Sequence, residues 1–364
     1  SMAPISQDLE PPTNPERFNS ATRDSIIARD PASRALIQPY LRGQDIRRWS
    51  SPETGLYMIL LKSSADHPWP WAKANDENEA ESIFRQNYPG LHAHLKAFES
   101  FTDARGRRRG LRIREDKGRW WWELRPCAYY DLFTQPRIVY QAIQFHPRYS
   151  FETELRYGNN KTFMLATRNL ALLAALNSPL CWWYSWRHFI HLKDEALSND
   201  QVKMAEIPIP PSLSDNEALA DGVKRILELK RNIDARNAAI LDWLHHEIGP
   251  EATAAASAIA RASTPDQFVA AVRSSLPRNQ RLSASQIAAL KREYTEFLEP
   301  AVELRSCLQS AECSVADMVN EAYGLTPEEV DLMWRTAPPR MPFTPAGLPS
   351  AGEGIDVEDA DTDE

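Results

Sequence analysis

Two hydrophobic periodicities meet at Pro208-Ile209-Pro210-Pro211, and together they require a chain built in two parts. From Ala35 to Pro210 the apolar residues come in short runs. Leu56-Tyr57-Met58-Ile59-Leu60-Leu61, Arg137-Ile138-Val139-Tyr140 and Thr162-Phe163-Met164-Leu165 are bounded by Gly, Pro, Asn and Ser, the pattern of strands. Helical patterns lie between them at about 80–98 and 169–189. Beyond the prolines, Leu219, Val223, Ile226, Leu227, Ile233, Ile240, Leu241, Leu244 and Ile248 recur mostly at three- and four-residue steps, predicting one long amphipathic helix over about 216–248. Further helices are expected over 252–273, 284–309 and 313–334. Thr326-Pro327-Glu328-Glu329 reads as a helix start, with a Thr cap, Pro in the first turn and acids at the positive dipole end. The expected fold class is α+β: a mixed or antiparallel-sheet domain over 31–212, followed by a helical domain over 213–334.

At the ends, residues 1–30 read as a partly disordered leader in which 20–29 form a short helix capped by Ser20 or Thr22. Residues 335–364 read as a disordered tail, Pro-rich and then acidic. Ser1 before Met2 reads as a cloning remnant, and no basic region followed by an apolar stretch marks a secretory signal. No apolar run approaches bilayer-spanning length, so no membrane partner is expected and the location is expected to be the bacterial cytoplasm. Cys127, Cys181, Cys307 and Cys313 lack CxxC spacing and read as reduced thiols; no metal site is expected.

The net charge of −8 is unevenly spread: −2 over residues 1–30, +6 over 31–210 and −12 over 211–364, with seven acids in the last fourteen residues. Phosphate contact needs a local basic face, and the middle of the chain supplies one. Residues 101–119 hold eight bases, Arg105, Arg107, Arg108, Arg109, Arg112, Arg114, Lys117 and Arg119, against three acids. Such a segment can follow a phosphate backbone, and each arginine fork can also grip guanine O6 and N7; the alternative is a solvated loop. It runs directly into Trp120-Trp121-Trp122, and bases beside aromatics suit strand-tracking surfaces, although most of the nine tryptophans in 31–212 are expected in the core.

Gln141, Gln144, His146 and Arg148 form a second candidate group, since Gln reads adenine and Arg reads guanine. Strand alternation would put Gln144, His146 and Arg148 on one side, or else they form the polar outer face of an edge strand. Lys161 beside Gly158-Asn159-Asn160, and Arg47 and Arg48 after the Arg42-Gly43-Gln44-Asp45 turn, are candidate phosphate contacts. His188 and His191 near Asp194 and Glu195 read as structural or solvent-facing. The chain has no GxGxxG, P-loop, HExxH or GxSxG motif.

Several segments resemble the target-recognition region of TaqI-type adenine methyltransferases and type IIG restriction–modification enzymes. They are Ile37-Gln38-Pro39-Tyr40-Leu41-Arg42-Gly43-Gln44-Asp45-Ile46-Arg47-Arg48-Trp49, then Trp122-Glu123-Leu124-Arg125 and Gln135-Pro136-Arg137-Ile138-Val139-Tyr140. Leu173-Ala174-Ala175-Leu176-Asn177-Ser178-Pro179-Leu180 and Ile207-Pro208-Ile209-Pro210 follow in the family's order, and Tyr323-Gly324-Leu325-Thr326-Pro327-Glu328-Glu329 resembles the close of type IIG chains. The resemblance covers about 31–212 well and 213–334 loosely.

It implies a domain that grips double-stranded DNA and reads base edges beside a flipped adenine. It also implies a catalytic methyltransferase domain or subunit carrying AdoMet. No Pro-Pro pair here has the flanking residues of an adenine-binding tetrapeptide, so neither a cofactor nor a catalytic residue is expected in this chain. The resemblance would place that catalytic domain before residue 20, so it is expected outside this sequence, either cut away or on a separate partner chain. Two alternatives stand: a protein-interaction scaffold of a phage-defence complex, favoured by the acidic helical third, and a degenerate nuclease site among Asp45, Glu123 and Asp131.

Overall fold

A computed structural model describes residues 17–103, 106–159, 161–214 and 216–343. The class is α+β. In chain order the first elements are β1 (Arg17–Asn19), α1 (Ser20–Arg29), β2 (Ile37–Leu41), β3 (Leu56–Ile59), α2 (Glu77–Asn87), α3 (Pro89–Lys96), β4 (Phe101–Thr102) and β5 (Arg108–Arg109). There follow β6 (Arg137–Gln141), β7 (Ile143–Gln144), β8 (Tyr149–Glu152), β9 (Tyr157–Gly158), β10 (Thr162–Ala166), α4 (Leu170–Leu176) and α5 (Pro179–His188). Next come β11 (Ile190–His191), β12 (Leu197–Ser198), α6 (Gln201–Ala205), α7 (Pro211–Ser214) and α8 (Glu217–Glu247). The chain closes with α9 (Ala256–Arg261), α10 (Pro265–Ser275), α11 (Ala284–Glu293), α12 (Glu299–Ala322) and α13 (Pro327–Arg335).

The chain divides into two compact units. The first holds the described residues up to Asp45, Glu53–Arg137 and Glu152–Thr167; the second holds Ile46–Pro52, Ile138–Phe151 and the described residues from Arg168 on. The boundary expected at 212/213 falls inside the second unit.

In the first unit β3 pairs antiparallel with β1 and β2, and β2 pairs parallel with β9. Phe18 is buried, so the chain is already in place at 17–19, within the segment expected to be partly disordered. The cap of α1 is Asn19 rather than Ser20 or Thr22: Asn19 is extended and its side chain accepts from Thr22 N at 3.1 Å, whereas Ser20 is already helical. The core of this unit is aromatic. Trp71, Phe84, Trp121 and Trp122 are fully buried, Phe84 stacks on Trp122 with centroids 5.2 Å apart, and Trp69 stacks on Trp71 at 4.9 Å.

In the second unit β6 pairs with β8, and β7, β12 and β11 form a separate antiparallel sheet. The long helix α8 buries Leu219, Val223, Ile226, Ile233, Ile240 and Leu244, the apolar stripe read from the sequence, and packs along α12 and against α4. Gly222 permits the close approach to α12, because a Cβ there would lie 2.7 Å from Val315 Cγ2. The helix start at Thr326 is a complete capping box with Glu329. Residues 336–343, expected to be disordered, are fastened to α5: Trp183 Nε1 donates to Thr336 Oγ1 at 2.9 Å and Trp182 Nε1 to the Pro339 carbonyl at 3.0 Å. The tail from 344 lies outside the described residues. Among the described residues no helix is long and apolar enough to cross a membrane.

Candidate nucleic-acid interface

The basic segment 101–119 rests on the tryptophan core of the first unit. Trp120, Trp121 and Trp122 are buried, so they do not extend the basic surface as their place in the sequence suggests. Their aromatic area goes inward because it is worth most where it excludes water. Glu123, fully buried, holds this core to the segment. It accepts from Trp71 Nε1 (2.8 Å), Ser64 N (3.1 Å), Ser64 Oγ (3.2 Å), Arg119 N (3.0 Å) and Trp120 N (3.3 Å). A carboxylate with this many donors is a structural hub. Asp45 is likewise buried and takes the Arg42 fork at 2.8 Å through both Nε and Nη2. Among the described residues no three His, Cys, Asp or Glu side chains are placed to hold a metal ion.

At the start of the segment β4 and β5 form a small antiparallel ribbon, Phe101 opposite Arg109 and Thr102 opposite Arg108. Gly110 closes it at φ +125°, where a Cβ would meet the Glu99 carbonyl oxygen at 2.5 Å; only glycine fits. The ribbon carries Arg107, Arg108 and Arg109, all exposed. Arg107 Nε donates to Asp103 Oδ2 at 3.0 Å and Arg109 Nε to the same oxygen at 3.1 Å. The Arg108 guanidinium has no hydrogen-bond or ion-pair partner among the described residues. Arg105 lies outside the described residues.

The later bases of the segment serve the fold. Arg112 donates to Glu77 and Glu99, and these two carboxylates push its pKa above the ordinary arginine value. Arg114 donates to the Glu123 carbonyl, and Lys117 Nζ to the Arg112 carbonyl at 3.0 Å. Arg119 spans the Ala72 and Ala74 carbonyls and lies 4.6 Å over the Trp120 ring. Lys161 is exposed, with its backbone N–H held by Asn159 Oδ1 at 3.0 Å.

The second unit holds the remaining candidates. Strand β7 ends at Gln144, so alternation does not carry through to His146 and Arg148. The Gln144 side chain is buried and fastens the turn from within: its Oε1 accepts from Arg148 N at 3.0 Å, and its Nε2 faces the Gln141 and Arg148 carbonyls at 3.4 Å. Gln141, His146 and Arg148 are half-buried on that turn, and Phe145 between them is exposed beneath Arg340. Arg47 is half-buried, its N–H bonded to the Ser50 carbonyl at 2.8 Å. Arg48 is turned inward onto Glu312 and the Asn177 carbonyl. His188 stacks on Tyr184, and His191 Nε2 lies 2.7 Å from the Trp186 carbonyl.

Thus the structure brings Arg107, Arg108 and Arg109 together outward on one ribbon and commits Arg48, Arg112, Arg114, Arg119 and Gln144 to internal bonds. Sequence reasoning missed Asp103, whose spacing of four and six residues from Arg107 and Arg109 across Gly106 is a hairpin pattern. It also missed Asn177, which is fully buried and pairs with both backbone groups of Tyr149.

An α+β chain with an exposed basic ribbon is the class that this geometry defines. No family model and no curated protein matches it. Among solved structures it is similar to the type IIL restriction–modification enzyme MmeI in complex with DNA, at 12% identity and a TM-score of 0.37. The match covers 83% of this chain and 34% of that one, so the chain spans about a third of its neighbour's length.

Proposed function

We propose that this chain is the sequence-reading part of a restriction–modification or phage-defence DNA methyltransferase acting on adenine N6. Methyl transfer and AdoMet belong to a catalytic domain or subunit outside the described residues. The observation that carries this reading is the β4–β5 ribbon: three consecutive exposed arginines ending at Gly110, whose backbone lies against Phe98 and Glu99. A two-stranded ribbon fits the major groove, where arginine forks meet guanine O6 and N7. The ordered segments from Ile37 to Pro210 that resemble target-recognition regions support the same reading. In the second unit, Arg148 and His146 on the Gln144-fastened turn are the contacts we assign to DNA, and Lys161 in the first unit is assigned to phosphate.

The test is binding to a randomised duplex library at low and moderate salt, followed by sequencing of what is retained. One short enriched motif, lost in the Arg107→Ala, Arg108→Ala, Arg109→Ala triple variant, is the expected result. Absence of duplex binding at low salt would overturn the reading and leave the scaffold role.

A further inference from the structure

The Asp103 carboxylate is the one acid set among the ribbon arginines, and its geometry does more than neutralise them. Oδ1 accepts the Arg107 backbone N–H at 2.9 Å, which closes the turn. Oδ2 accepts the side-chain Nε of both Arg107 and Arg109, at 3.0 and 3.1 Å. Asp103 is mostly buried, with 21% of its side chain exposed, whereas Arg107 and Arg109 are 54% and 48% exposed.

A guanidinium is planar, so a bond at Nε restrains the orientation of the whole fork and leaves its two Nη groups to other acceptors. Neither Nη pair has a hydrogen-bond partner among the described residues. Arg107 and Arg109 share one acceptor oxygen, so one carboxylate orients two forks together. Phosphate contact does not need this, since a mobile cation serves it equally well. Recognition of a planar acceptor pair does, because an oriented fork loses less freedom on forming two parallel hydrogen bonds.

We propose that Asp103 is a positioning residue that presents Arg107 and Arg109 to the O6/N7 edge of guanines in duplex DNA, so that this ribbon reads guanine. The inference rests on the DNA-reading role proposed above and assigns that role a base and a device.

The experiment compares the parent chain with Asp103→Asn and Asp103→Ala. Each is titrated with the duplex selected from the library and with the same duplex carrying 7-deazaguanine at each selected guanine, over a series of salt concentrations. Asn keeps an Oδ1 that can accept the Arg107 N–H but has no second acceptor for the two Nε groups, so the ribbon stays closed while the forks are released. Asp103→Asn is expected to reduce the guanine over 7-deazaguanine preference by about 10-fold, with the salt dependence unchanged. Asp103→Ala loses the turn as well and falls further.

An Asp103→Asn chain that keeps the full preference, or that binds every duplex more tightly by the same factor, overturns the positioning role: Asp103 is then a turn residue or a neutralising charge. A parent chain that selects a motif without guanine also overturns it, while DNA reading stands. A parent chain that binds no duplex overturns both.

Discussion

Arg48 Nη1 meets Glu312 Oε1 at 2.7 Å across 264 residues of sequence, with both side chains largely withdrawn from water. The same carboxylate oxygen accepts from Trp49 Nε1, and Arg48 Nε and Nη2 lie 3.3 and 3.2 Å from the Asn177 carbonyl. Burial lowers the Arg48 pKa and the Glu312 charge only partly restores it. Trp49 sits at the centre with φ +70°, a left-handed conformation held by its N–H bond to the Tyr149 carbonyl at 3.0 Å. A basic residue that reads as a phosphate contact is thereby an internal brace of the second unit.

Removing one partner of this pair leaves the other charged and desolvated. Glu312→Ala is expected to destabilise the second unit by about 3 kcal/mol, read as a shift in the urea unfolding midpoint. Replacing both, Arg48→Met with Glu312→Leu, should recover most of the loss. If the single variant unfolds at the parent midpoint, the pair does not brace the fold.

Arg108 and Arg112, four residues apart, should behave oppositely. Arg108→Ala removes a side chain with no described partner, so the melting temperature should hold while the slope of log affinity against log salt falls by about 0.9. Arg112→Ala breaks contacts to Glu77 and Glu99 and should lower stability without changing that slope. Equal slopes for Arg108→Ala and the parent chain would remove Arg108 from the interface.

Glu123 tests whether the buried carboxylate is structural. Glu123→Ala leaves the Trp71 indole, the Ser64 N–H and the Arg119 N–H without their acceptor, a loss of at least about 3 kcal/mol. Near-ultraviolet dichroism from the tryptophan core should collapse. Gln at this position retains one acceptor oxygen and should be intermediate. Magnesium-dependent DNA cleavage by the parent chain, abolished in Glu123→Gln, would instead point to nuclease chemistry.

The acid limb of stability should report Glu81 and Glu99. Burial alone raises both carboxyls, but the hydrogen bonds from Lys96, with His92 at Glu81 and Arg112 at Glu99, outweigh it and hold both below their ordinary 4.5. A depressed carboxylate stabilises the fold above its unfolded pKa and loses that contribution as pH falls through the folded one. The melting temperature of the first unit should therefore fall below about pH 4.5, less steeply in Glu81→Gln.

What the sequence determined is local. Short apolar runs became β3, β6 and β10, the stripe from Leu219 to Leu244 became one buried helix face, and Thr326 with Glu329 closed a capping box, because each depends on neighbours within one turn or one strand. The basic segment was equally plain in composition. Which of its arginines face out was decided by tertiary structure, since Glu77 and the Ala72 carbonyl, which capture Arg112 and Arg119, lie 35 and 47 residues away in the chain. Trp120, Trp121 and Trp122 turned inward for the same reason: a run of aromatics beside a run of charges has no preferred side until a core exists to bury it. Asp103, Arg107 and Arg109, by contrast, lie within six residues of one another, near enough in sequence to have been read there, and both arginines face solvent.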